Sequence, residues 1–466
     1  MKIALNVLKW IAGILLGFII IVGLCWWLIP DEQLNPEADR FAAIAPAPPA
    51  ANNAYFMIWG LTASPELDPH AVGQQIIAAH DRILASQKDL SKFKADAFYG
   101  DHPLRFSKDS KPFCLVENEK ENCLQIYQSK QAEVKAQAQE KEIYLARYRK
   151  IREYEDFGVA MSLANYQSPL PSWNPIMRLS QLVDGDIAQR MARKGTQKAA
   201  LEELAAEVNS WRRLLQGNDW LLTQMISVAA LQRKYRLASE IMNAYPEVVS
   251  GYPAILEKIT APLAPDQTNI VASMGAEARS AVGTYRDMNQ TGQIFKDSFF
   301  EGMPGPPLLA AFQLGGFRAN ASTNLSYLAF KESLDLFAKS PKEILEGRQE
   351  MLDRQAKLNG FSVGAIFFNP LGRIFLNAGM PEATAYAFRV ADLIGLSRLV
   401  DLQRRLIAGN VAAENVSAVL ANAGPTLMDP YTEKPMQWDV ASKRVSFVLH
   451  GKRFANAGYV TLDNMK

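Results

Sequence analysis

Apolar positions fall into two regimes along this chain. From Trp10 to Ile29 no residue carries a charge, whereas beyond Asp31 apolar side chains recur at spacings of three and four among charged and amide residues. A helix of about 20 residues rises roughly 30 Å, the thickness of a bilayer's hydrocarbon core. Lys2 and Lys9 precede the run and Asp31 and Glu32 follow it. That asymmetry predicts a transmembrane helix with a cytoplasmic N-terminus and the bulk of the chain on the far side. Trp10 and the pair Trp26 and Trp27 stand near its ends, where indole rings favour the headgroup region. Gly13 and Gly17 form a G-x-x-x-G, which lets two helix backbones approach and offers a homodimer contact. A cleaved signal peptide has a shorter apolar core with a small-residue site close behind, but Ala43-Ile44-Ala45 lies well beyond the run and precedes Pro46. Retention of the helix is the expectation. Leu24 and Trp26 flank Cys25, so that cysteine reads as a buried membrane residue and not as a lipidation site.

The polar regime predicts a mainly α fold. Five prolines between Pro30 and Asn53 predict an extended, semi-rigid tether over 31–53. Tyr55 to Trp59 is too apolar to stay in water, and so short a run fits strand or helix. Asp68-Pro69 pairs a cap with a first-turn proline and predicts a helix to Ser86. Leu90 to Cys123 reads as irregular. From Leu124 to Phe157 there is neither Pro nor Gly, which predicts one long helix. Further helices are expected at 176–193, 196–215, 219–244, 267–288, 322–338, 341–358 and 382–408, with short connections implying antiparallel neighbours. Loops rich in Pro and Gly, such as Gly302 to Pro307, separate several of them. Met436 to Trp438 and Val445 to Leu449 predict a small β-hairpin docked on helices. The regions are then 1–30, a cytoplasmic stub and span; 31–53, the tether; 54–158, a helical region with a disulfide loop; 159–428, the helical body; and 429–466, the hairpin segment.

Composition adds compartment and removes partners. The formal charge of the 466 residues is only +2, so no strong field recruits nucleic acid. The basic-aromatic run Arg147 to Arg152 reads as a solvated helix face. Cys114 and Cys123 are the two cysteines outside the apolar run. In an oxidising compartment they are expected to form one disulfide closing a small loop; two free thiols are the alternative, and a zinc pair is disfavoured by their spacing and by the lack of a nearby histidine. Together these features place the chain in a bacterial inner membrane with its bulk in the periplasm.

The last seventy residues resemble a loosely defined group of uncharacterised bacterial envelope proteins. Those are mostly helical and end in a D-P-[FY]-[TS]-G-x-P segment with two short strands. The resemblance rests on Asp429, Pro430, Tyr431, Thr432, Lys434, Pro435 and Trp438, preceded by the helix from Leu399 to Ala408 with Arg404 and Arg405. Glu433 stands where that pattern has glycine. The resemblance implies architecture and location, and it brings no catalytic residues.

Motifs of known chemistry are sparse, and no catalytic, cofactor-binding or metal-binding residue is assigned. His70 and His80 would stand about 15 Å apart on one helix, too far to share a metal. Ser91 to Lys94 matches S-x-x-K without its companion motifs. Asp184-Gly185-Asp186 lacks the remaining ligands of a calcium loop and reads as a turn between helices. Glu202, Glu203 and Glu414 read as helix-surface acids. Two functions remain. One is a non-enzymatic, membrane-anchored periplasmic protein that binds or scaffolds another envelope component; the other is an envelope hydrolase whose acids or serine come from distant helices. A concave pocket lined by buried carboxylates would favour the hydrolase.

Overall fold

The computed structural model describes residues 2–43, 50–86, 93–106, 112–114, 121–159, 168–217, 220–291, 315–360, 362–379, 383–451 and 458–463. Gly302 to Pro307, Pro46, Pro48, Pro49 and Ser91-Lys92 lie outside the described residues. The protein is mainly helical with a small antiparallel sheet. Helix α1 covers Lys2–Leu28 and α2 Pro36–Ala42; α3 (Ala54–Gly60) and α4 (Pro69–Ala85) form a pair. Then come α5 (Cys123–Ser129), α6 (Gln131–Glu140) and α7 (Glu142–Lys150), followed by α8 (Trp173–Met191), α9 (Gln197–Gln216) and α10 (Leu221–Ala244). The next are α11 (Glu247–Gly251), α12 (Pro253–Thr260), α13 (Ile270–Thr291), α14 (Ala319–Phe337) and α15 (Pro341–Asn359). Last are α16 (Val363–Phe368), α17 (Pro370–Gly379), α18 (Thr384–Ala408) and α19 (Val416–Ala421).

Helix α10 is the hub, in contact with α5, α8, α9, α12, α13 and α18. Leu201, Leu204, Val208, Trp211 and Leu215 turn one stripe of α9 toward it, as their spacing predicts. The hub also buries charge. Lys234 is fully buried and pairs with Asp184 of α8 and, at 2.9 Å, with Glu207 of α9. The Tyr148 hydroxyl of α7 donates to Glu207 at 2.8 Å and accepts from the Trp211 indole at 3.1 Å. Four helices thus share one satisfied polar cluster, which fixes their register because any slip strands a buried charge.

Helices α3 and α4 touch backbone to backbone. A Cβ on Gly73 would overlap the Phe56 carbonyl, and one on Gly60 the Pro69 carbonyl. Asp68 caps α4, accepting from the His70 N–H at 3.1 Å, and the proline stands at its first turn as expected. The run Tyr55 to Trp59 is helical and heads a second small core with Val72, Ile76 and Trp220.

Several readings change. The stretch 124–157 is three helices, bent at Lys130 and Lys141. Over the ten residues from Val134 to Tyr144 a straight helix would carry the second side chain about 80° off the first one's face; the bends return both to the core. Over its described residues, 31–43 and 50–53, the segment is not a free extended tether. Asn35 caps α2, accepting from the Glu37 N–H at 2.8 Å, and α2 packs on α13 and α14. At the far end Asn53 donates to Asp156 at 2.9 Å. Asp184-Gly185-Asp186 lies inside α8, where the glycine admits Val134. Arg147 is buried and donates to carbonyls along 61–67, including Ser64 at 2.9 Å and Pro65 at 3.0 Å, so it ties down the loop after α3 and is not a solvated face. Glu203 binds Arg149 at 2.8 Å, Arg152 at 3.2 Å and Arg190, so it is not a free surface acid.

The C-terminal hairpin is a three-stranded meander: β1 (Gln437–Asp439), β2 (Arg444–Ser446) and β3 (Tyr459–Thr461), with Val445 paired to both Trp438 and Val460. The third strand spans three residues after a glycine, too short for an alternation signal. Glu433 has φ of +55°, the left-handed conformation that explains the glycine of the resembling pattern. Cys114 and Cys123 are bonded, with Cα atoms 5.5 Å apart.

Two outcomes test this packing by denaturant titration of the full chain in detergent. Lys234→Met removes the nearest cation from the buried Asp184 and Glu207, leaving only the longer contacts of Arg233 at 3.9 Å and Arg152 at 3.7 Å, and should cost about 3–5 kcal/mol. Burial would push the Glu203 carboxyl up, but Arg149, Arg190 and Arg152 outweigh it and hold it below the usual carboxylate range. Its stabilisation is therefore present above the unfolded-state pKa and is lost as pH falls through the lower folded-state value. Glu203→Gln should cost about 1.5–3 kcal/mol at neutral pH, as for hydrogen bonds to a charged acceptor. That gap should close in acid; a cost independent of pH would show that the arginines do not hold the carboxylate.

Candidate functional site at the junction of apolar helix and body

Among the described residues, α1 is the one helix long and apolar enough to cross a membrane. Its stretch from Asn6 to Leu28 has a mean hydropathy of 2.6 over its most apolar window, yet only 6% of that window is buried. Trp10 and Trp27 are 75% and 76% exposed. Around Gly13 and Gly17 a Cβ would meet open space. Gly17 precedes Trp26 by nine residues, which places them about 180° apart around the helix. The glycine pair thus faces away from the side that meets the body.

That contacting side is built from Phe18, Val22 and Trp26. The Trp26 indole N–H donates to the Ile366 carbonyl at 2.8 Å, and the Phe18 ring meets the Phe367 ring edge-on at 5.8 Å. Arg318 donates to the Trp26 carbonyl and lies 6.0 Å from the Phe368 ring. Gly315, at φ of +87°, lets the backbone pass there; a Cβ would stand 2.6 Å from the Trp26 carbonyl oxygen. Cys25 is a free, half-buried thiol on the same helix.

Beyond Leu28 the chain is stitched to α14. The residue at that helix's cap position, Arg318, makes no side-chain cap. Instead the Asp31 carboxylate accepts from the backbone N–H of Asn320 at 2.8 Å and of Ala321 at 3.1 Å. It meets orphan donors and the positive end of the helix dipole together. Asn324 adds a two-way bond, donating to the Gln33 carbonyl at 2.9 Å and accepting from the Asn35 N–H at 2.8 Å. Tyr327 donates to Glu37 at 3.1 Å and packs on Phe41. Asn369, between α16 and α17, donates to Ser322 at 2.9 Å and accepts from the Arg318 N–H at 3.0 Å. Periodicity predicts no element over 359–381, and Asp31 reads only as a flank charge. A carboxylate just past an apolar run carries no local sign that it caps a helix some 290 residues away.

Elsewhere the buried carboxylates Asp392 and Asp401 are committed to partners. Asp392 of α18 accepts from the Tyr431 hydroxyl at 2.6 Å and from the Gly451 N–H at 2.8 Å. Burial pushes its carboxyl up. Asp401 holds Arg404 at 2.8 Å, Arg405 at 2.8 Å and Thr260 at 3.0 Å. His80 is buried beside Asp81, and His70 stacks on Tyr154. An open recess of about 580 Å³ lies against the sheet, lined by Asp439, Arg444, His450 and Tyr459 among others. Asp439 there is spent on its own turn, accepting from Ser442 at 2.6 Å and the Ala441 N–H at 3.0 Å. Neither that recess nor a second, of about 360 Å³ beside His70 and Arg147, is lined by the buried carboxylates Asp184, Glu207, Asp392 or Asp401. Among the described residues no three His, Cys, Asp or Glu side chains are grouped to hold a metal.

No family model, curated protein or solved structure matches this chain.

Removing the carboxylate tests the junction. Asp31→Ala should cost about 0.5–2 kcal/mol, as loss of a helix cap does, and should speed hydrogen exchange at the Asn320 and Ala321 amides while α9 and α10 keep their protection. Unchanged exchange at those two amides would show that the cap does not hold the junction.

Proposed function

We propose that this chain is a single-pass, membrane-anchored envelope protein. Its helical body is held against the outer face of a bacterial inner membrane, where it binds or scaffolds another envelope component without catalysing a reaction. The observation that carries this reading is the exposure of α1. A helix so apolar, with only 6% of its most apolar window buried, demands an apolar environment that the body does not provide. Its length fits a hydrocarbon core, and its tryptophans stand near both ends. The bonded cysteines suit an oxidising compartment. The near-neutral body favours a protein partner in the same layer over nucleic acid. The glycine pair, turned away from the body, leaves the opposite face of α1 free for a second copy.

Fractionation tests the anchor. After alkaline carbonate extraction the full-length chain should stay in the membrane pellet with Lys2 to Ile29 retained, and protease added to spheroplasts should digest the body. Release by carbonate, or a mature N-terminus beyond Pro30, would sink the anchor. Crosslinking in intact cells tests the partner: a defined adduct with another envelope protein is the expected outcome, and a chain recovered only as itself would remove the scaffolding role.

A further inference from the structure

We infer that α16 is a second membrane element, a short half-inserted helix that lies against the outer half of α1 and is covered by lipid acyl chains. The inference rests on the reading of α1 as a membrane span and adds to it a contact made by the body itself. Depth carries the argument. Phe18 lies near the middle of the Trp10 to Ile29 run and eight residues before Trp26, hence about 12 Å further along the helix axis. Phe367 touches it, with ring centroids 5.8 Å apart. If α1 spans, a ring in contact with Phe18 lies inside the hydrocarbon.

The chemistry of the segment agrees. From Leu358 to Gly372, between Lys357 and Arg373, there is no charged residue. Such a stretch is too short to cross a bilayer and has the length of a re-entrant segment. Val363 is 73% exposed, the highest value for a large apolar side chain among the described residues of the body. Backbone groups at membrane depth must be satisfied within the protein, and three contacts here do this: Ile366 O accepts from the Trp26 indole, Ala365 N–H donates to Ser362, and Asn369 N–H donates to Ala365 O. Polar groups begin where the surface would lie, with Arg318 beside Trp26 and Phe368 and Asp31 just beyond. A soluble protein partner has no access to a face set at the depth of Phe18; acyl chains do.

The test uses the full-length chain in phosphatidylcholine–phosphatidylglycerol vesicles, with Cys25→Ser and one new cysteine at a time carrying an environment-sensitive dye. The sites are Ile14→Cys in the span, Val363→Cys in α16 and Val440→Cys at the exposed sheet turn. Val363 and Val440 are both largely exposed, so neither change removes a core contact. Dye at 363 should emit blue-shifted, be quenched by nitroxides on lipid acyl chains and lose quenching by aqueous iodide, matching 14 and opposing 440. If 14 is lipid-quenched while 363 is iodide-quenched like 440, α1 spans and α16 does not insert. If 14 itself is iodide-quenched, the anchor fails and the inference falls with it.

Discussion

The first N–H groups of α14 are met by a carboxylate that the chain delivers from just past its apolar helix. This one contact, Asp31 with Asn320 and Ala321, fixes the body's orientation relative to α1. Without it, the exit from α1 would rest on the Trp26, Asn324 and Tyr327 contacts. With it, and with Asn324 and Tyr327 holding the next residues, the exit from α1 becomes part of the α14 surface. The Phe18 and Trp26 contacts to α16 follow from that alignment, because α14 and α16 are joined through Asn369.

A second constraint governs the body. Lys234 carries its charge into the centre of four helices and is met there by two carboxylates. Apolar residues of similar volume could fill that space, but they would tolerate several registers, whereas a buried cation with two acids tolerates one. Arg147 and Asp401 act alike at the periphery, where one charged group gathers several partners and ties a loop or a helix turn in place.

What was legible in the sequence is local. Asp68-Pro69 opens α4, and the three-four spacing of α9 faces the core. Each signal lies within one turn or one stripe, so the main helices of the body stand where periodicity puts them. Features set by distant partners left no such signal. Arg233-Lys234-Tyr235 reads as a helix surface until Asp184 and Glu207 arrive from other helices. Asp31 reads as a flank charge, and the six residues of α16 are too few for a period. The bend at Lys141 escaped because propensity cannot say that Val134 and Tyr144 must share a face. At the candidate site, the apolar helix, its tryptophans and its glycines were legible, and the surface it docks against was not.

The last strand also sets when the body can be finished. Thr461 of β3 accepts from Asn243 of the hub helix at 2.8 Å and, through its carbonyl, from the buried Gln403 side chain at 2.9 Å. These bonds join residues 218 and 58 positions apart, and they close only after nearly the whole chain has been made. Contacts of such separation are late and slow to form. Among the described residues, that edge of the hub is therefore closed by β3 and by no nearer part of the chain. A chain cut before Tyr459 would keep the helices of the core but lose the Thr461 carbonyl that the buried Gln403 side chain uses.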